Sequence, residues 1–275
     1  MNLLEAVKMA GKSELCISLS SNPGNLGMTV HSAGYKARGL DFKYLACSED
    51  NIKRAMLQMK TFDIRGASIS MPFKVEVLDY LDWIDDSAVK IGAVNTVVNR
   101  NGKLYGYNTD LIGFSKLLDV ADVKLGDKIH VFGSGGAARA VLECLSAYSD
   151  VSVWVRGRIK DPSKDSFIEE KWNRETHDEL WAEDIYGTMI NCTPVGMNGE
   201  LLGIELLRTH KLLDLGVNDS PTVITARKLG IPAFNGSIMA LYGAMEQFGL
   251  YTGTPAPVNA MTEAFNERQA QALRP

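Results

Sequence analysis

Two side chains able to exchange a proton stand in unusual local frames. Lys74 closes the run Ser70-Met71-Pro72-Phe73-Lys74, and Asp110 closes Asn108-Thr109-Asp110 just ahead of a stretch with helical periodicity. Gly92-Ala93-Val94-Asn95-Thr96 lies between them, and Gly133-Ser134-Gly135-Gly136-Ala137-Ala138 follows. Moving a hydride off a carbinol carbon requires removing the hydroxyl proton, and a partly buried lysine is suited to that exchange. An aspartate beside it favours the ammonium, so its expected task is to hold the lysine and a substrate hydroxyl in position. A Lys/Asp pair ahead of a dinucleotide-type turn suggests proton transfer beside hydride transfer. Read alone, Lys74 reads first as a solvated lysine after Pro-Phe.

The glycine run has the context that makes it informative. Ile129–Phe132 reads as a short buried strand, and Gly136–Ala147 reads as a helix. Strand, G-x-G-x-x-A and helix together form a dinucleotide fingerprint. Gly133 permits the tight turn, Gly135 lets backbone approach a pyrophosphate, and Ala138 lets helix pack on strand. Ser134, Gly136 and Ala137 complete a cradle whose free N–H groups suit phosphate. The alternative is a glycine-rich connection with no ligand. The next strand ends Val153-Trp154-Val155-Arg156-Gly157-Arg158, with no carboxylate for a ribose 2′-hydroxyl. Arg156 and Arg158 offer forked donors to a 2′-phosphate, which predicts NADP rather than NAD. Asn191-Cys192-Thr193-Pro194 ends a third strand. Thr193, Val195 and Met197 are therefore candidates for the nicotinamide pocket, although Asn and Pro also make an ordinary turn.

These sites need an α/β frame, and the chain supplies one. Short apolar runs alternate with amphipathic ones throughout its 275 residues, enough for two domains. The first part predicts strands at Leu15–Leu19, Phe42–Cys47, Gly66–Ser70, Ala93–Asn99 and Lys103–Tyr107. Helices are predicted at Met28–Arg38, Asp50–Lys60 and Lys74–Leu81. Asn101-Gly102 is a two-residue hairpin signal, implying an antiparallel edge on a mostly parallel sheet. After Leu111, strands at Ile129–Phe132, Val151–Val155, Met189–Cys192, Leu212–Leu215 and Ile231–Phe234 suggest a doubly wound parallel sheet. Gly157–Lys171 reads as a surface connection. Ser237–Leu250 and Val258–Leu273 read as closing helices. The expected organisation is a substrate domain, 1–109, completed by 242–275, and a Rossmann-type NADP-binding domain, 110–241. The active site is expected in the cleft between them.

Composition narrows the partners. Hydrophobic residues make up 45%, charged residues 23%, and the net charge is −4, which disfavours nucleic acid or an anionic membrane. No apolar run approaches the ~20 residues that span a bilayer. The N-terminus carries Glu5 and lacks a long apolar core, so no signal peptide is expected. The four cysteines are scattered without a C-x-x-C pair, as in reduced, cytoplasmic proteins. The four histidines lack helical metal spacing, and no metal is expected. Nothing in the chain specifies an oligomeric state.

Together these motifs resemble the shikimate dehydrogenase family over most of the chain. Ser70–Lys74 is similar to its T-V-P-F-K, Gly92–Thr96 to its G-A-V-N-T, and Asn108–Asp110 to its N-T-D. Gly133–Ala138 is similar to its G-x-G-G-A turn, and Ile190–Met197 to I-N-x-T-x-x-G-M. The resemblance implies an NADP-linked oxidoreductase interconverting a cyclic polyhydroxy acid and its ketone, as in shikimate metabolism and aromatic amino acid biosynthesis. It implies that Lys74 and Asp110 are the catalytic pair, and that Asn95 and Asp110 hold substrate hydroxyls, with Ser70 in the same motif as Lys74.

The substrate-carboxylate grip departs from the family. Its H-S-x-S-P serines are replaced by Asn25 and Gly27, its tyrosine by Val217, and its late glutamine by Gly243. Losing charge-assisted hydrogen bonds, each worth roughly 1.5–3 kcal/mol, would cost orders of magnitude in shikimate affinity. Ser18, Ser20, Ser21, Asn22 and Asn25 either rebuild an acceptor site or form an ordinary turn. Quinate or an aminoshikimate are alternative substrates. A catalytically weak NADP(H)-binding regulatory module is the reading from another class.

Overall fold

The computed structural model describes residues 1–155, 173–176, 186–202 and 209–272. Its contacts divide into two units, Met1–Ile112 with Leu241–Pro275, and Gly113–Ala240.

The first unit runs α1 (Leu3–Ala10), β1 (Glu14–Ser20), α2 (Leu26–Arg38), β2 (Phe42–Ser48), α3 (Ile52–Thr61) and β3 (Gly66–Ile69). A 3-10 turn (Glu76–Tyr80), β4 (Trp83–Ile84), α4 (Asp86–Ile91), β5 (Thr96–Arg100) and β6 (Lys103–Tyr107) follow. The sheet order is β2-β1-β3-β5-β6-β4. Side chains alternate across a strand, and here the alternation separates an apolar face from a polar one. Ile17, Leu19, Ala67 and Ile69 pack into one core with Leu3, Ala55 and Met56. Ser18, Ser20 and Ser68 take the opposite face. α8 (Ser237–Thr252) covers that face. A Cβ on Gly66 would lie 2.3 Å from Tyr251, so only glycine lets helix and strand approach this closely. α9 (Val258–Ala272) packs on α2.

The second unit contains most of α5 (Asp110–Ala121), then β7 (Ile129–Phe132), α6 (Gly136–Cys144), β8 (Val151–Val155) and β9 (Asn173–Thr176). β10 (Gly187–Asn191), β11 (Thr209–Asp214), α7 (Pro221–Lys228) and β12 (Ala233–Asn235) complete it. All its strand pairs are parallel, in the order β12-β11-β10-β7-β8-β9. The chain grows outward from β7 through β8 to β9, then returns to β7's other side with β10. That reversal is a topological switch point, the place where such sheets bind ligands.

The fold is thus α/β, a mixed N-terminal sheet followed by a Rossmann-like parallel one. Several expectations change. The hairpin exists, with Asn101 and Gly102 at φ 54° and 81°, but its reversed strand β5 lies inside the sheet, not at an edge. The helix expected over Lys74–Leu81 is a 3-10 turn beginning at Glu76. The parallel sheet has a sixth strand, β9, whose polar sequence Asn-Arg-Glu-Thr carries no apolar alternation. α1, α4, α7 and β4 are short elements whose periodicity is too brief to read.

Candidate active site

Lys74 Nζ lies 2.6 Å from Asp110 Oδ2, and their side chains are 17% and 14% exposed. Backbone and amide contacts hold both from the same segment. The Lys74 carbonyl accepts from Val94 N at 2.8 Å. Asn108 Oδ1 accepts from Asp110 N at 3.0 Å, while Asn108 Nδ2 donates to the Ala93 carbonyl at 2.8 Å. Asp110 is the first residue of α5, where the positive end of the helix dipole favours a carboxylate. A charge pair mostly withdrawn from water is oriented, and it retains enough exposure to meet a ligand.

Asn95 is buried immediately before β5. Its Oδ1 accepts from Thr109 N at 2.8 Å and Thr96 Oγ1 at 2.7 Å, and its Nδ2 donates to Thr109 Oγ1 at 3.1 Å. Gln247, on α8, donates to Thr96 Oγ1 at 3.0 Å and Ser68 Oγ at 3.3 Å. Gln247, Thr96 and Thr109 were not singled out from sequence. The readable signal was spacing: Gln247 lies four residues beyond Gly243, one turn further along the same helix face.

The remaining candidates separate. Ser70 is exposed at the end of β3, its N–H bonded to the Leu19 carbonyl at 2.9 Å. Ser20 is 4% exposed, and its Oγ has no hydrogen-bond partner among the described residues; the same holds for Ser18 Oγ. Asn25 is exposed at the N-cap of α2, with no side-chain capping bond. Gly27 has a packing reason, since a Cβ there would meet the Tyr44 ring at 2.7 Å. Tyr44 in turn stacks on buried His31, with ring centroids 4.3 Å apart. Burial pushes His31 down to about 3, so the ring is neutral. Gly243 is different: it is buried, yet a Cβ would make only ordinary 3.6 Å contacts with Thr109.

In the second unit Gly133 follows β7 with φ 109°, a conformation that favours glycine, and its Cβ position lies 3.1 Å from Thr193 Cγ2. The loops after β7 and β10 therefore meet at the switch point. Asn191 shapes the second loop: Oδ1 accepts from Thr193 N and Oγ1 at 3.0 and 2.7 Å, and Nδ2 donates to the Val195 carbonyl at 3.0 Å. Met197 is exposed there. Gly135 is the N-cap of α6 with no side-chain capping bond, and a Cβ on it would meet nothing within 4 Å. An uncapped helix start with open space before it fits a pyrophosphate. Ser134, Gly136 and Ala137 surround it, with Ala138 buried. Arg156 and Arg158 lie outside the described residues.

None of the four cysteines is in a disulfide, and burial pushes Cys16 up to about 12, which keeps it a thiol. Among the described residues no group of three His, Cys, Asp or Glu could hold a metal, and no helix is long and apolar enough to cross a membrane.

The model of the shikimate dehydrogenase substrate binding domain matches residues 25–97. A shikimate dehydrogenase (NADP(+)) of Streptococcus pneumoniae is 31% identical, over 95% of this chain and 99% of its own. Two solved structures resemble most of the chain. Thermus thermophilus shikimate 5-dehydrogenase with NADP(H) and shikimate has a TM-score of 0.73 at 25% identity, covering 92% of this chain and 99% of that one. The Listeria monocytogenes enzyme with shikimate and NAD has a TM-score of 0.73 at 27% identity, covering 92% and 96%. With a relative above 30% identity matched nearly end to end, the chain belongs to the shikimate dehydrogenase family.

Proposed function

We propose that the protein is an NADP-dependent oxidoreductase that interconverts a cyclic polyhydroxy acid and its ketone, with Lys74 and Asp110 as the catalytic pair. The 2.6 Å contact between Lys74 Nζ and Asp110 Oδ2 carries this reading. Residues 1–109 and 242–275 serve the substrate, and 110–241 serve the cofactor. In oxidation, Lys74 Nζ takes the substrate's hydroxyl proton; in reduction it returns one. Asp110 holds the lysine in position and accepts from a substrate hydroxyl. Asn95 donates to a second substrate oxygen, and Ser70, Ser20 and Asn25 bind the remainder of the ring substituents. NADP, when bound, supplies the hydride acceptor. Gly133, Ser134, Gly135, Gly136, Ala137 and Ala138 hold its pyrophosphate at the α6 N-terminus. Arg156 and Arg158 hold the 2′-phosphate, and Thr193, Val195 and Met197 line the nicotinamide end.

The preferred ring acid differs from shikimate in how its carboxylate is held, because Asn25, Gly27, Val217 and Gly243 replace the family's grip. Quinate and aminoshikimate are the first alternatives. A spectrophotometric screen of NADP and NAD over shikimate, quinate and aminoshikimate tests the reading. We expect NADP reduction with at least one of them. Tight NADP(H) binding without turnover on any would instead establish a regulatory binding module.

A further inference from the structure

The direction of each hydrogen bond around Asn95 follows from one backbone group. A peptide N–H only donates, so Thr109 N at 2.8 Å identifies its partner as the Asn95 oxygen rather than the amide nitrogen. Thr96 Oγ1 lies 2.7 Å from that same oxygen. Because the oxygen cannot donate, the single hydroxyl hydrogen of Thr96 is committed to it. Thr96 can then only accept from the Gln247 group at 3.0 Å, which must be the amide nitrogen. The second hydrogen of that nitrogen points to Ser68 Oγ at 3.3 Å.

The consequence emerges at Asn95. Its oxygen is filled by its two shortest bonds, and its nitrogen spends one hydrogen on Thr109 Oγ1 at 3.1 Å. One N–H remains without a hydrogen-bond partner among the described residues. Asn95 and Gln247 are both buried, so solvent competes little for the relay, and a buried polar chain of this kind holds a single orientation.

We propose that Gln247 is a positioning residue for the substrate site: acting through Thr96, it turns the Asn95 amide so that one N–H faces the substrate. The substrate group at Asn95 is then a hydrogen-bond acceptor, a hydroxyl or ketone oxygen. This deepens, and rests on, the oxidoreductase reading above.

Gln247→Glu is the direct test. A carboxylate at 247 accepts and cannot donate, so the Thr96 hydrogen turns toward it and Asn95 loses one of its orienting bonds. With whichever of shikimate, quinate or aminoshikimate the native enzyme oxidises, KM should rise about tenfold or more, the scale of one lost hydrogen bond to a ligand. The kcat and the KM for NADP should stay within about twofold, because Gln247 touches neither reacting atom. Thr96→Val should raise KM similarly, and the double variant should add little more. An unchanged substrate KM, or fully additive effects, would overturn the proposal.

A second readout needs no turnover. In protein labelled with 15N at asparagine, Gln247→Glu should shift the side-chain amide pair of Asn95 and leave that of Asn99 in place. An unmoved Asn95 pair overturns the relay. Should the native protein oxidise none of the three acids, the oxidoreductase reading fails while the amide spectrum still decides the relay. If the glutamate variant does not fold, Gln247→Met removes the donor without adding charge and carries the same measurements.

Discussion

Under the proposed function, the two units prepare for their ligands by opposite means. In the first, charged and amide side chains gather: Lys74 is paired with Asp110, and Asn95 bonds to Thr96 and Thr109, with Gln247 bonded to Thr96 in turn. In the second, side chains withdraw: Gly133 turns, Gly135 opens onto empty space, and the start of α6 is left without a side-chain cap. Proton exchange needs a group with a proton at a defined atom, which only a side chain supplies. Phosphate binding needs close approach to peptide N–H groups, which a side chain would obstruct. One site should therefore fail when a functional group is removed, and the other when a group is added.

The largest expected effect is Lys74→Ala. Turnover should drop about 10³-fold, within the range for losing a general acid–base, while NADP(H) binding measured by fluorescence titration stays intact. Retained activity would remove Lys74 from the mechanism.

Acid should act on buried histidines in both units. Unfolded His31 binds its proton near the ordinary 6.5, whereas the folded ring resists until about 3. Between those values the unfolded state holds more protons, so stability falls as pH falls below 6.5, by up to about 1.4 kcal/mol per pH unit, and stops falling below 3. His130 is also lowered by burial and contributes with the same sign. Its ring accepts from Trp154 Nε1 at 3.0 Å and faces the Tyr186 carbonyl at 3.2 Å. Denaturant melts from pH 7 to 4 should show the slope, and His31→Phe should flatten it.

The two turn glycines should separate stability from binding. Gly133→Ala forces a side chain into φ 109° against Thr193, and should cost about 1–3 kcal/mol in thermal unfolding. Gly135→Ala places a Cβ where no protein atom lies within 4 Å. It should leave stability within about 0.5 kcal/mol while weakening NADP binding about tenfold or more, a tenfold loss being about 1.4 kcal/mol. Equal loss of stability in both variants would erase the contrast.

The smallest effect concerns Gly243. Glycine inside a helix costs up to about 1 kcal/mol relative to alanine, and no neighbour forbids a Cβ there. Gly243→Ala should raise the melting temperature by about 2–4 °C. An accompanying rise in substrate KM would show that the ligand approaches Gly243 beside Thr109.

Much of this molecule is local and could be read before the fold. Strand, glycine turn and helix at Ile129–Ala138 carry their own geometry, because positive φ and an exposed helix start are properties of consecutive residues. Asn101-Gly102 likewise announced its hairpin, although the hairpin's place inside the sheet depends on β3, far away in sequence. Elements such as α4 and β9 are too short or too polar to signal themselves.

The candidate site divides along the same line. Residue types and motif order pointed to Lys74, Asn95 and Asp110 as parts of one proposed chemistry, and to Gly27 and Gly243 as departures from the family's motif. Only tertiary structure distinguished those two glycines, one pressed against the Tyr44 ring and the other with room for a Cβ at ordinary contact distance from Thr109. Only tertiary structure brought Gln247 to Thr96, across 151 positions of chain. The physical reason is that hydrogen-bond direction is settled by which donors and acceptors meet in space. A sequence names the groups, and the packed sheet and helix decide which hydrogen goes where.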